Sequence, residues 1–459
     1  MKRFAITMFA LWCAMSAAVA APVTGDWFGV LDLGVAKLRL AVHVQDGGNG
    51  GYKATMDSLD QGAKGIAVDS FTLAAGVVTF KMAALNAQYE GKIAADGKQI
   101  AGTFTQHGQA KPLLLSRDSG VLAVAAPKRP QTPQRPFPYR EEDVAYANPA
   151  AGGIVLAGTL SLPQGAGPFP AVLLVAGSGP HARDGEILHH KIMLLWSDYL
   201  TRRGFAVLRT DKRGIAKSQG SYREATTADF ASDASAAVAY LRTRPDIDAG
   251  KIGVLGHSEG GSIAPIVAGN DARLAFAVLL AAPAESGRKI LMDQSRLIAL
   301  ANGAKPDNVA RDQAKREKIL AAVVAESDVP KLETALRQIE ADASGRKLEE
   351  IKDAEIKPHT TPWMRAFAAY DPAPALRKVH CPVLAINGAL DLQVPVGNLK
   401  VIESALADNK RSKIVALPDL NHLLQTSKTG SPAEYGAIEE TVAPQVLALV
   451  AGWMREQVQ

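Results

Sequence analysis

The sequence predicts an α/β architecture, a mostly parallel sheet flanked by helices, preceded by a small all-β domain. Three observations carry the expectation. Beyond about residue 139, short apolar runs recur with helix-patterned segments between most of them. Residues 21–118 show strand alternation broken by glycine turns instead. A proline-rich stretch at 119–138 divides the two regimes. Apolar runs buried on both faces belong to a parallel sheet covered by helices. Many short strands with regular turn signals suggest a barrel or a sandwich.

Taken in order, residues 1–20 read as a signal peptide. Lys2 and Arg3 form a positive start, Phe4 to Met15 is an apolar run too short to span a bilayer, and Ala18-Val19-Ala20 offers small residues for cleavage after Ala20. The expected location is therefore secreted or periplasmic. In 21–118, Lys37 to Val44 alternates, Val77 to Phe80 and Lys111 to Ser116 look like further strands, and Asp96-Gly97 is a turn signal. In the linker, Pro127, Pro130, Pro133, Pro136 and Pro138 recur about every third residue, which favours extended polyproline II. An ordered arm wrapped on the next domain is the alternative.

The second domain, 139–459, opens with an expected hairpin from Val144 to Leu162. Apolar strands follow at Ala171–Ala176, Ala206–Arg209, Ile252–Leu255, Phe276–Leu280, Val383–Ile386 and Ile414–Leu417. The alternation breaks at about 284–370, a charged, Ala-rich stretch of helical periodicity that reads as a cap inserted between two core strands.

Composition excludes several classes. The formal charge of +5 includes Lys2 and Arg3, and no basic stripe with interleaved aromatics is visible, so nucleic-acid binding has little support. No later apolar run reaches membrane-spanning length, so stable membrane insertion is not expected once the leader is removed. With Cys13 in the leader, Cys381 is left alone and cannot form an internal disulfide; it reads as a packing residue. Oligomeric state is not legible.

The chemistry centres on Gly256-His257-Ser258-Glu259-Gly260. The pattern G-x-S-x-G is weak alone, but here a buried-strand pattern, Lys251–Leu255, precedes it and a helix pattern, Ser262–Gly269, follows. That strand–turn–helix context is a nucleophile elbow, which leaves a serine oxygen exposed at the carboxyl edge of a sheet. A serine hydroxyl needs a base, and the base an orienting acid. On such a scaffold their order is Ser, acid, His. His422 follows the last apolar strand and precedes the C-terminal helix; His359 falls in the cap and His380 at the wrong end of a strand. Asp391 emerges from the carboxyl end of Val383–Ile386, where ligand-facing groups gather. Its rivals are Asp371, Asp408 and Asp419. The backbone N–H groups of Glu259 and Ser178 are the expected oxyanion donors, with Gly177 or Gly179 as alternatives to Ser178. His181, Asp184, His189 and His190 match no zinc spacing, so no metal is expected. No cofactor is called for.

These residues resemble the α/β-hydrolase superfamily, in its serine carboxylesterase and serine aminopeptidase-like branch. Gly177 to Asp184 is similar to the oxyanion loop of that branch, Thr210 to Ser218 to its Asp-Lys-Arg-Gly turn, and Gly388 to Pro395 with Asn421-His422 to its acid and histidine segments. The resemblance covers about 140–459 and implies ester hydrolysis under a helical cap. The expectation is a serine hydrolase acting on small or medium carboxylic esters through Ser258, with Asp391 and His422. A serine peptidase of the same fold, whose acidic groups such as Glu340, Glu349 and Glu350 would face the pocket, is the second reading. A non-catalytic binding protein is the third.

Overall fold

The computed structural model describes residues 23–32, 37–48, 50–61, 63–106, 109–123 and 128–459, and the chain divides into two units between Val124 and Ala125. The expected signal peptide lies outside the described residues. In the first unit, alternating residues build nine antiparallel strands: β1 (Gly25–Asp32), β2 (Lys37–Gly48), β3 (Gly51–Ser58), β4 (Ala63–Val68), β5 (Ser70–Ala74), β6 (Val77–Met82), β7 (Ala87–Ile93), β8 (Gln99–Gln106) and β9 (Gln109–Ser116). Consecutive strands pair, except that β4 and β5 end the sheet on opposite sides while β1 pairs with β9. The ends curl together, β3 against β5 and β4 against β6, which makes a nearly closed barrel rather than a sandwich. Period-two alternation sends Trp27, Val42, Val44, Met56, Phe80, Tyr89, Leu113 and Leu115 inward, where they fill the interior.

In the second unit, eight strands form one mixed sheet. They are β10 (Arg140–Asn148), β11 (Ile154–Leu162), β12 (Phe169–Val175), β15 (Ala206–Thr210), β16 (Ile247–His257), β17 (Phe276–Leu280), β18 (Val383–Gly388) and β19 (Ser412–Leu417). A separate two-stranded hairpin, β13 (Glu186–Ile187) and β14 (His190–Lys191), lies in the loop after β12. The order is β10-β11-β15-β12-β16-β17-β18-β19. The first two pairings are antiparallel and the remainder parallel. Parallel neighbours need crossovers, and helices supply them. Leu173 packs on the face covered by α2 (Thr227–Arg242), α3 (Glu259–Asn270) and α10 (Asn398–Ala405). Val172 and Leu174 pack on the opposite face, under α1 (Ile192–Thr201) and α11 (Pro444–Val458). Burial on both faces is why these strands read as unbroken apolar runs. Cys381 is a free, buried packing residue.

Between β17 and β18 stand α4 (Gly287–Ala301), α5 (Pro306–Ala325), α6 (Val329–Ser344), α7 (Asp353–Thr360) and α8 (Pro362–Ala369), followed by the short α9 (Ala373–Arg377). Helices α5 to α7 carry their own small core of Ile319, Leu320, Leu332, Leu336 and Ile356. The proline-rich segment from residue 128 is an arm held on the second unit. The Arg129 guanidinium donates to the carbonyls of Leu188, Gly436 and Ile438, and Gln131 bonds the backbone of Thr441 and Val442. Among the described residues no helix is long and apolar enough to cross a membrane.

Candidate active site

Strand β16 ends at His257 and α3 begins at Glu259, so a single residue, Ser258, makes the turn. It does so at φ 57°, ψ −122°, a conformation costly for any residue with a side chain. The surroundings hold it there. Its N–H donates to Leu280 on β17, and its carbonyl accepts from Gly261. The turn also forces strand and helix together: a Cβ on Gly256 would lie 1.9 Å from the Gly260 carbonyl oxygen, and one on Gly260 would lie 2.1 Å from that of Val175.

The half-buried Ser258 hydroxyl meets His422 Nε2 at 2.9 Å, and His422 Nδ1 meets Asp391 Oδ2 at 2.8 Å. Asp391 follows the end of β18. Its Oδ1 accepts the backbone N–H groups of Gln393 and Val394, both at 2.8 Å, which fixes the plane of the carboxylate. Buried His422 and Asp391 thus stand in a chain with Ser258, and the sequence had singled out all three. The rival acids lie elsewhere: Asp371 caps the start of α9, and Asp408 and Asp419 are exposed.

The loop after β12 brings Gly177 against the serine. A Cβ there would sit 3.0 Å from Ser258 Cβ, a contact that would push loop or serine aside by a few tenths of an ångström. The Gly177 carbonyl accepts from Lys212 Nζ at 2.7 Å, and the Ser178 carbonyl from His181 Nε2 at 2.8 Å. The other residues weighed as metal ligands have separate partners. His190 bonds Thr441 and the Tyr435 carbonyl, His189 faces Glu186, and Asp184 pairs with Arg209 and Lys191.

Two features escaped the sequence reading. His257 donates from Nε2 to the His422 carbonyl at 2.8 Å, tying the segment that carries His422 to the elbow; burial pushes its pKa down to about 3, so it stays neutral. The side chain of Glu259 accepts from Lys212, from Thr227 Oγ1 and from the Trp363 indole on α8. Neither has a local signal, since the partners lie far away in sequence.

Ser258, His422, Gly177 and Ser178 open onto a cavity of about 200 Å³. Ile290, Leu291, Trp363 and Phe367 of the cap wall it, with Val394 and Leu423 from the loops at the sheet edge. Among the described residues lining it, Glu259 is the one carboxylate.

Sheet order, elbow and serine–histidine–aspartate chain together define an α/β hydrolase, as the sequence led one to expect. A profile of the X-Pro dipeptidyl-peptidase (S15) family matches residues 152–420, and the chain belongs to that family. Esterase EstD of Thermotoga maritima is 28% identical over 326 residues, which cover 70% of this chain and 68% of that protein. Among solved structures, the α/β hydrolase GrgF of Penicillium sp. sh18 is 17% identical over 70% of this chain and 99% of its own, with a TM-score of 0.45. Pyrococcus furiosus esterase Pf2001 is 16% identical over 70% and 94%, with a TM-score of 0.42. These two likenesses are too distant to bear on activity.

Proposed function

We propose that the protein is a serine carboxylesterase for small or medium carboxylic esters. The observation that carries the reading is the Ser258–His422–Asp391 chain facing a small cavity whose cap side is walled by apolar residues. His422 donates its Nδ1–H to Asp391 and takes the Ser258 proton through Nε2 as Oγ attacks the ester carbonyl. The oxyanion is met by the N–H groups of Glu259 and Ser178. The Gly177–Ser178 peptide supports that choice: its carbonyl is drawn to Lys212, away from the cavity, and in a trans peptide the Ser178 N–H points the opposite way. His422 then protonates the leaving alcohol. A water gives one proton to His422 as it attacks the acyl-Ser258, and His422 passes that proton to Ser258 Oγ as the acid departs with the other.

The family's description favours a second reading, an X-Pro dipeptidyl-peptidase. Recognition of a free amino terminus calls for an unpaired carboxylate in the pocket. Glu259 is already paired with Lys212, and Glu340, Glu349 and Glu350 of the cap do not line the cavity. EstD, an esterase by name, adds weight to the first reading. The test is turnover of p-nitrophenyl acetate against an X-Pro dipeptide p-nitroanilide, with a fluorophosphonate adduct mapped to Ser258. Faster amide turnover selects the peptidase; no turnover and no adduct selects a binding protein.

We infer, from residues 1–20 alone, that the chain is exported. Export would leave a mature amino terminus at Ala21, which Edman sequencing of the secreted or periplasmic protein checks.

A further inference from the structure

Lys212 belongs to the turn after β15 and does not line the cavity, yet its ammonium is buried within reach of the reacting serine's surroundings. Its side chain is 9% exposed and that of Glu259 2%. Nζ donates to the Gly177 carbonyl at 2.7 Å and to Glu259 Oε2 at 3.2 Å, and lies 4.4 Å from the centre of the Phe230 ring. Glu259 Oε1 is occupied by Thr227 Oγ1 at 2.8 Å and Trp363 Nε1 at 2.6 Å. One buried ion pair therefore touches the peptide on each side of the serine: Lys212 the carbonyl before Ser178, and Glu259 the residue whose own N–H starts α3.

We propose that Lys212 is a positioning residue for the oxyanion hole, acting through the Gly177–Ser178 peptide, with Glu259 as its counter-ion. The inference rests on the serine-hydrolase reading above. Two physical effects support it. A charged donor on the carbonyl fixes the peptide plane, so the Ser178 N–H needs no reorientation when the oxyanion forms. The same bond polarises the amide and makes its N–H a stronger donor, as in other hydrogen-bonded chains at low dielectric. Glu259 allows a cation to exist there. An unpaired buried ammonium is expensive, and the carboxylate supplies the compensating charge. Trp363 extends the pair to the cap, so one of the helices walling the cavity is bonded to the group that sets the hole.

The experiment uses the full chain and p-nitrophenyl acetate, with active sites counted by fluorophosphonate. Lys212→Met strands the Glu259 charge and risks misfolding. The decisive protein is therefore the double variant Lys212→Met with Glu259→Gln, which removes both charges while Gln keeps an oxygen for Thr227 and Trp363. The expected result is a folded protein whose kcat per titrated site is lower by about 10²-fold, the scale of one lost oxyanion donor. KM should stay within about threefold, because the lost interaction is made in the transition state. Affinity for a trifluoromethyl ketone, which forms a tetrahedral adduct on Ser258, should fall in parallel with kcat. If the double variant regains wild-type kcat while Lys212→Met alone is unstable, the pair serves folding only and the proposal is wrong. Loss of kcat with unchanged ketone affinity overturns it as well. A wild-type protein that takes no label at Ser258 would instead remove the hydrolase reading, and that outcome is distinct from the other two.

Discussion

Replacing Asp391 with Asn is the most incisive change in the site. In the native protein Oδ1 accepts two backbone N–H groups, from Gln393 and Val394, and Oδ2 faces His422 Nδ1. An amide has one oxygen. Keeping it on the two backbone donors turns the Nδ2 protons toward His422, whose Nδ1 must then become an acceptor. The imidazole proton moves to Nε2, and the ring faces Ser258 with a donor where a base is needed. The countercharge for imidazolium is lost as well. The same change in a serine protease costs about 10⁴-fold in turnover, which is ~5 kcal/mol of transition-state stabilisation. We expect a fall of roughly 10³–10⁴ here, with KM little changed. Asp419→Asn is the control, since Asp419 is exposed at φ 57°, a left-handed conformation that Asn adopts readily. Turnover of p-nitrophenyl acetate is measured for both variants after circular dichroism and urea unfolding show that each is folded. An Asp391→Asn enzyme that keeps a tenth of native turnover would refute the reasoning, because no orientation of the amide preserves both sets of bonds.

Three other outcomes follow from the geometry. Burial holds His190 at about 4 and His257 at about 3, below the ordinary value of 6.5, so both are neutral in the fold and protonate first in the unfolded chain. Their contribution is fully present above pH 6.5 and is lost as pH falls toward 4; between pH 6 and 5, urea-unfolding free energy should drop by about 1–3 kcal/mol, and a flat profile there contradicts the burial. Gly177→Ala puts a methyl 3.0 Å from Ser258 Cβ and 3.4 Å from the His257 carbonyl oxygen, and kcat should fall roughly 10–100-fold with little loss of stability; unchanged kinetics would mean that the loop yields freely. Leu291→Ala removes half-buried cap bulk from the cavity wall, so the kcat/KM ratio of octanoate to acetate esters should rise about tenfold, and an unchanged ratio would take the acyl chain away from α4.

The parallel strands were the most legible part of the fold. Phe276–Leu280 appears as predicted because all five residues are buried, and burial on both faces leaves no polar position to confuse the pattern. The starts of strands that open on polar residues were harder. β10 starts at Arg140 rather than near Val144, because its first residues are charged and spend those charges on partners: Glu141 on Arg209, Glu142 on Arg244. β16 begins at Ile247, ahead of the polar stretch Asp248–Lys251 that hid its start. Alternation showed which residues of the first unit face inward, but closure into a barrel depends on strand tilt and stagger, which alternation does not encode.

The site divides along the same line. Ser258, Asp391 and His422 were readable because each sits in a local context that chemistry dictates: an elbow, a strand end, and a loop before the last helix. The network around them was not, since Glu259 finds Thr227, Lys212 and Trp363 across 32, 47 and 104 residues of chain. Any residue but proline at 259 would supply the backbone N–H that opens α3. A carboxylate at that buried position is a liability unless a cation answers it, for an uncompensated buried charge costs several kcal/mol. Lys212 answers it, and in doing so grips the Gly177 carbonyl. The two residues are therefore one unit: changing either alone leaves a buried charge beside Ser258, and only their joint replacement separates what the pair does for folding from its proposed role at the oxyanion hole.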